Sequence, residues 1–125
     1  MNILIALDAA SGRERWRYDP EVTTDSIPYS ASCRGVAYYE MPDAPESAQC
    51  KRRVIEGTLD ARLIAVDAET GQPCADFGAN GQVNLLEGMG ESVPGFVAVT
   101  SPPTIVRGIA AVSYTHLTLP TICSV

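Results

Sequence analysis

Short apolar runs closed by polar turns set the pattern of this chain. Leu4-Ile5-Ala6-Leu7 leads into Asp8-Ala9-Ala10-Ser11-Gly12, and the arrangement returns 59 residues later as Leu63-Ile64-Ala65-Val66 followed by Asp67-Ala68-Glu69-Thr70-Gly71. Each apolar run predicts a buried strand. Each Asp can accept hydrogen bonds from backbone N–H groups two or three residues on, and each Gly supplies the positive φ that closes the turn into the next strand. After the first copy, Arg13-Glu14-Arg15-Trp16-Arg17-Tyr18 alternates charged and aromatic residues, as a strand with one wet and one packed face would, with Trp16 pointing inward. After the second copy, residues 72–77 predict a weaker outer strand in which Phe77 stands in for the missing Trp.

Between the copies, residues 33–39 and 53–57 read as two further strands, separated by the acidic, Pro-containing loop 41–49. Four strands per repeat is the unit of a β-propeller blade. In this register residues 1–19 are the last two strands of one blade, residues 32–77 a whole blade, and residues 97–111 the start of a third. The expected fold class is therefore all-β, a partial β-propeller over residues 1–111. Blades bury their faces against neighbours, so a chain with one whole blade is expected to be part of a larger ring. The direct start in an apolar strand at Met1-Asn2-Ile3-Leu4, with no leader before it, fits that expectation.

Composition agrees with the pattern. Gly and Pro fill 10 and 9 positions, which suits short strands and tight turns. The net charge of -6, with Lys51 as the sole lysine, argues against nucleic acid as a partner, because affinity for phosphate comes from clustered cations. The one basic cluster, Lys51-Arg52-Arg53, reads as a solvated start to a strand. No apolar run approaches the roughly 20 residues of a membrane-spanning helix. Cys33, Cys50, Cys74 and Cys123 are too widely spaced for a zinc knuckle. A disulfide among the first three would fit an oxidising compartment, and buried free thiols fit the spacing equally well.

Four segments make the pattern specific: residues 6–12 with Trp16, Ser32-Cys33-Arg34-Gly35-Val36-Ala37-Tyr38, residues 62–71, and Thr100-Ser101-Pro102-Pro103. Together they resemble the membrane-bound quinoprotein dehydrogenases of the glucose, quinate and shikimate group. The resemblance covers roughly residues 2–111 and implies an eight-bladed propeller that holds pyrroloquinoline quinone with a calcium ion near its axis. It implies oxidation of a sugar or polyol, electron transfer to ubiquinone, and a periplasmic location with the parent protein anchored in the inner membrane. It also implies that Arg34 faces the acidic cofactor, that Thr100 hydrogen-bonds it, and that Ser101 assists. A guanidinium is well matched to a carboxylate because its planar fork offers two parallel donors. Where relatives often carry His before the Cys-Arg-Gly segment, this chain has Ser30.

The resemblance places the calcium ligands, the carboxylate base and a Lys near the quinone on blades outside this chain. Abstraction of a proton from an alcohol needs a base within hydrogen-bond reach, so no catalytic or metal-binding residue is assigned here and the chain alone is expected to be inactive. Residues 112–125 depart from the family pattern and resemble a translated sequencing adaptor; they are expected to be a non-native tail, which removes His116 and Cys123 as candidate ligands or nucleophiles. The rival reading is a non-catalytic propeller scaffold of the outer-membrane assembly type, which would share the Asp-to-Gly turns but lack the cofactor anchors.

Overall fold

The computed structural model describes residues 1–26, 33, 35–91, 93, 95–113 and the backbone of 121–124. Its strands form three antiparallel sheets in chain order. The first pairs β1 (Leu4–Leu7) with β2 (Glu14–Tyr18). The second is a four-stranded meander of β3 (Ala37–Glu40), β4 (Arg52–Gly57), β5 (Arg62–Asp67) and β6 (Gln82–Asn84). The third joins β7 (Thr104–Val106), β8 (Ile109–Val112) and β9 (Thr121–Ser124). A single 3-10 turn at Thr24–Ser26 is the only helical element among the described residues. The chain is all-β, with the end of one blade, a complete blade and the start of a third, as the repeat predicts.

The two copies of the repeat fold identically. Asp8 accepts from the N–H groups of Ala10 at 3.2 Å and Ser11 at 2.8 Å, and Gly12 N–H donates to Asp8 O at 2.7 Å. Asp67 accepts from Glu69 N–H at 2.8 Å and Thr70 N–H at 3.0 Å, and Gly71 N–H donates to Asp67 O at 2.9 Å. Gly12 and Gly71 sit at φ of 70° and 72°, a conformation open to Gly without a Cβ clash.

Alternation along β5 divides the core in two. Leu63 and Ala65 face one way and join Ile55, Val99, Ala110 and Val112. Ile64 and Val66 face the other way and join Leu4, Val54, Trp16 and Tyr18. Consecutive residues of a strand point to opposite faces, so the central sheet is buried on both sides, by the first sheet on one and the third on the other. Each fully covered aliphatic side chain is worth about 1.5–3 kcal/mol, and Ile55, Leu63, Ile64 and Val66 are all completely buried.

Trp16 does point inward, and its partner is the second copy of its own motif. The indole Nε1–H donates to Ala68 O at 3.0 Å, and the ring lies over Gly71, where an added Cβ would come within 2.7 Å of Cε3.

The fourth strand differs from expectation. Residues 72–77 do not run as one strand; Pro73 makes a single bridge to Val66, residues 75–80 loop out, and pairing with β5 resumes at Gln82–Asn84. Ala65 shows the interruption directly, accepting from Cys74 N–H and donating to Gly81 O, each at about 2.9 Å or less. Pro73 lacks an N–H for the ladder, and Gly78, Asn80 and Gly81 all take positive φ. Phe77 is buried in the core rather than acting as a counterpart of Trp16.

The Lys51-Arg52-Arg53 cluster is also not the solvated start expected of it. Arg53 is 1% exposed, donating to Cys50 O at 3.0 Å and pairing with Asp76 at 2.9 Å. Lys51 is buried as well and pairs with Glu46, leaving only Arg52 partly open. The aliphatic stems of these residues cover the core beneath while their heads meet carboxylates.

Candidate cofactor-anchoring site

The ends of three elements meet where β3 and β7 begin. Strand β4 runs antiparallel to β3, pairing Ile55 with Ala37, so its last residues, Glu56 and Gly57, reach the same end of the sheet as the segment before β3. The turn that follows touches both flanking units. Leu59 N–H donates to Asn2 Oδ1 at 3.3 Å on one side, and Val99 N–H donates to Thr58 O at 3.2 Å on the other.

The two segments singled out in the sequence come together here. Gly35 packs on Pro102, with an ideal Cβ at Gly35 only 3.6 Å from Pro102 Cβ. Thr100 and Ser101 are half-buried, and their hydroxyls make no hydrogen bond to any other described residue. Hydroxyls at a partly covered position suit the role of ligand donor. Arg34 and Ser30 lie outside the described residues. His116 also lies outside them, and of Cys123 only the backbone is described.

Successive residues at the end of β4 hold these segments from opposite faces. The Cys33 thiol donates to Glu56 Oε1 at 3.2 Å. Gly57 lies so close to Val99 that an added Cβ would fall 2.1 Å from Val99 Cγ1. Thus Glu56 contacts the residue before Arg34, and Gly57 the residue before Thr100.

Glu56 was not marked in the sequence, although its place two residues after Val54 puts it on an apolar face. It is 1% exposed. Oε1 accepts from Cys33 and from Asn2 Nδ2, the latter at 3.4 Å, whereas Oε2 is buried with no partner among the described residues. Burial pushes the Glu56 carboxyl above the usual carboxylate range, further than the Cys33 and Asn2 hydrogen bonds pull it down. Cys33 is an exposed residue, yet partial desolvation of its thiol raises it likewise, and the neighbouring Glu56 adds to the effect.

The remaining cysteines settle the disulfide. Cys50 and Cys74 are bonded, with Cα atoms 5.7 Å apart, while Cys33 is free. Asp76 lies beside the pair, but both sulfurs are committed to each other and cannot act as thiolate ligands.

Comparison with known proteins shows the family. The family described as PQQ: Glucose/ethanol/alcohol dehydrogenase, beta-propeller domain, matches residues 1–118. The chain belongs to this family. It is 54% identical over 114 residues to the glycerol dehydrogenase large subunit of Gluconobacter thailandicus, covering 91% of this chain and 15% of that protein. It is 46% identical over 110 residues to quinoprotein glucose dehydrogenase A of Acinetobacter calcoaceticus, covering 79% of this chain and 14% of that protein. With quinate/shikimate dehydrogenase (quinone) of Acinetobacter baylyi the identity is 44% over 121 residues, covering 83% and 14%. The chain therefore spans about one seventh of the length of these relatives, each named as a dehydrogenase. Membership of a dehydrogenase family favours the enzyme reading over the scaffold.

Proposed function

We propose that this chain is one sector of an eight-bladed quinoprotein that oxidises a sugar or polyol and passes the electrons to ubiquinone, with Arg34, Thr100 and Ser101 anchoring pyrroloquinoline quinone. The observation that supports this reading is the packing of Gly35, the residue after Arg34 in the chain, on Pro102 where β3 and β7 begin. When bound, the quinone supplies the redox chemistry, and the protein supplies anchoring, orientation and electrostatics. The part of this chain is to bind: Arg34 offers a cation to the acidic cofactor, and the hydroxyls of Thr100 and Ser101 offer neutral donors.

Glycerol, glucose and quinate appear in the names of similar proteins; the class they share, a polyhydroxylated alcohol, is the substrate class proposed here. Calcium, its ligands and the catalytic base belong in this reading to the other blades, and residues 1–125 alone do not turn over substrate. Among the described residues no helix is long and apolar enough to cross a membrane. The Cys50–Cys74 disulfide supports an oxidising compartment such as the periplasm. Residues 112–125 are proposed to be foreign to the propeller on their likeness to a translated sequencing adaptor, against which stand the family match to residue 118 and the burial of Val112 in the core.

The test is cofactor titration of the full-length apoprotein. Charge-assisted hydrogen bonds contribute about 1.5–3 kcal/mol, so Arg34→Ala should weaken pyrroloquinoline quinone binding by roughly 10- to 100-fold. Thr100→Val should weaken it less. An Arg34→Ala protein that binds as the wild type does removes Arg34 from the site.

A further inference from the structure

A carboxyl buried on a strand face otherwise made of Val54, Ile64 and Val66 is costly. Leucine would fill comparable space at lower cost, so packing does not account for Glu56. What the carboxyl adds is direction. Its Oε1 receives the Cys33 thiol at 3.2 Å and the Asn2 amide at 3.4 Å, joining the segment before β3 to β4 and to the neighbouring blade at one atom.

We propose that Glu56 is a positioning residue for the cofactor-anchoring segment, holding Cys33, the residue next to Arg34 in the chain, through its thiol. The proposal rests on the reading of Arg34 as an anchor. Groups that hold a binding residue in place, without touching the ligand, set affinity by limiting how far that residue can stray. The elevated carboxyl supports the same arrangement, since a neutral acid with Oε1 as its carbonyl oxygen can accept both donors.

The experiment uses full-length apoprotein and pyrroloquinoline quinone itself. Glu56→Leu should raise the cofactor dissociation constant by about three- to tenfold, the worth of a single hydrogen bond. Glu56→Gln, which keeps an acceptor for the thiol, should bind as the wild type does. Cys33→Ala should weaken binding as Glu56→Leu does, and the double variant Cys33→Ala/Glu56→Leu should be no worse than either alone. A second readout needs no cofactor: Cys33 in the apoprotein should be alkylated faster by iodoacetamide in Glu56→Leu, because losing the acidic neighbour favours the thiolate.

Unchanged affinity in folded Glu56→Leu, equal loss in Glu56→Gln, or additive effects in the double variant would overturn the proposal. If Glu56→Leu does not fold, Cys33→Ala decides, and wild-type affinity there overturns it. Arg34→Ala separates the two readings. Should that variant bind normally, the anchor assignment has failed; should it bind weakly while Cys33→Ala does not, the positioning role alone has failed.

Discussion

Gly12 and Gly71 close the same turn in almost the same conformation, but a methyl group would meet different surroundings at each. Nothing lies within 4 Å of a Cβ on Gly12, whereas one on Gly71 would strike the Trp16 indole at 2.7 Å. Gly12→Ala should therefore cost only the left-handed backbone penalty of about 1–2 kcal/mol. Gly71→Ala carries the same penalty plus overpacking of about 1–3 kcal/mol. Denaturant midpoints of the two full-length variants check the ordering, and equal losses would mean that the indole does not hold the turn. At this scale the sequence was readable where a residue repeats a motif and opaque where its partner is distant. Trp16 could be assigned an inward face from alternation alone, but not its acceptor Ala68. Arg53 and Glu56 are ionisable residue types, and only their period-two companions hinted that a strand would bury them.

The β5 turn and the disulfide act as one element because Cys50 N–H donates to Asp67 Oδ2 at 2.6 Å. Burial raises the Asp67 carboxyl, but the N–H groups of Cys50, Glu69 and Thr70 outweigh it and leave the group below the usual aspartate range. With a folded value below the unfolded one of about 3.9, the stabilisation is present in full above that pH and lost as pH falls through the lower folded value. Asp67→Asn, which turns an amide nitrogen or a single oxygen toward these donors, should cost about 1–3 kcal/mol at neutral pH and blunt the acid transition; an unaltered acid profile would refute it. The Cys50–Cys74 bond closes a separation of 24 residues, for which chain entropy predicts about 3 kcal/mol. Cys50→Ser/Cys74→Ser should lower the unfolding midpoint accordingly, and wild-type protein in reductant should match it. Strand positions were legible wherever apolar runs and Asp-to-Gly turns bracketed them. The interrupted fourth strand was not, because pairing that stops at Pro73 and resumes after Gly81 leaves no continuous alternation. The disulfide pairing was closed to sequence for a similar reason, since spacing does not report Cα proximity.

For the molecule as a whole, the central blade is covered on both sides while the flanking sheets keep their far faces open. Ile5 and Leu7 on β1 are 45% and 59% exposed, and Val106 and Ile109 beside the β7–β8 turn are 56% and 40% exposed. A 59-residue repeat reveals neighbouring sectors of a ring, but how the ring closes is written in chain that this sequence, one seventh of its relatives' length, does not contain. Open apolar faces and unpaired strand edges drive association, so the isolated chain should self-associate with rising concentration in light-scattering chromatography. Ile5→Lys/Leu7→Lys places two charges on one open face and should shift the isolated chain toward monomer. In the full-length protein the same face is expected to meet the preceding blade, where two unpaired lysines would lower the unfolding midpoint instead. The opposite signs in the two settings make the prediction specific. A monodisperse wild-type chain that melts cooperatively would show that these faces need no neighbour, and the reading of the chain as one sector of a ring would then lose its physical basis.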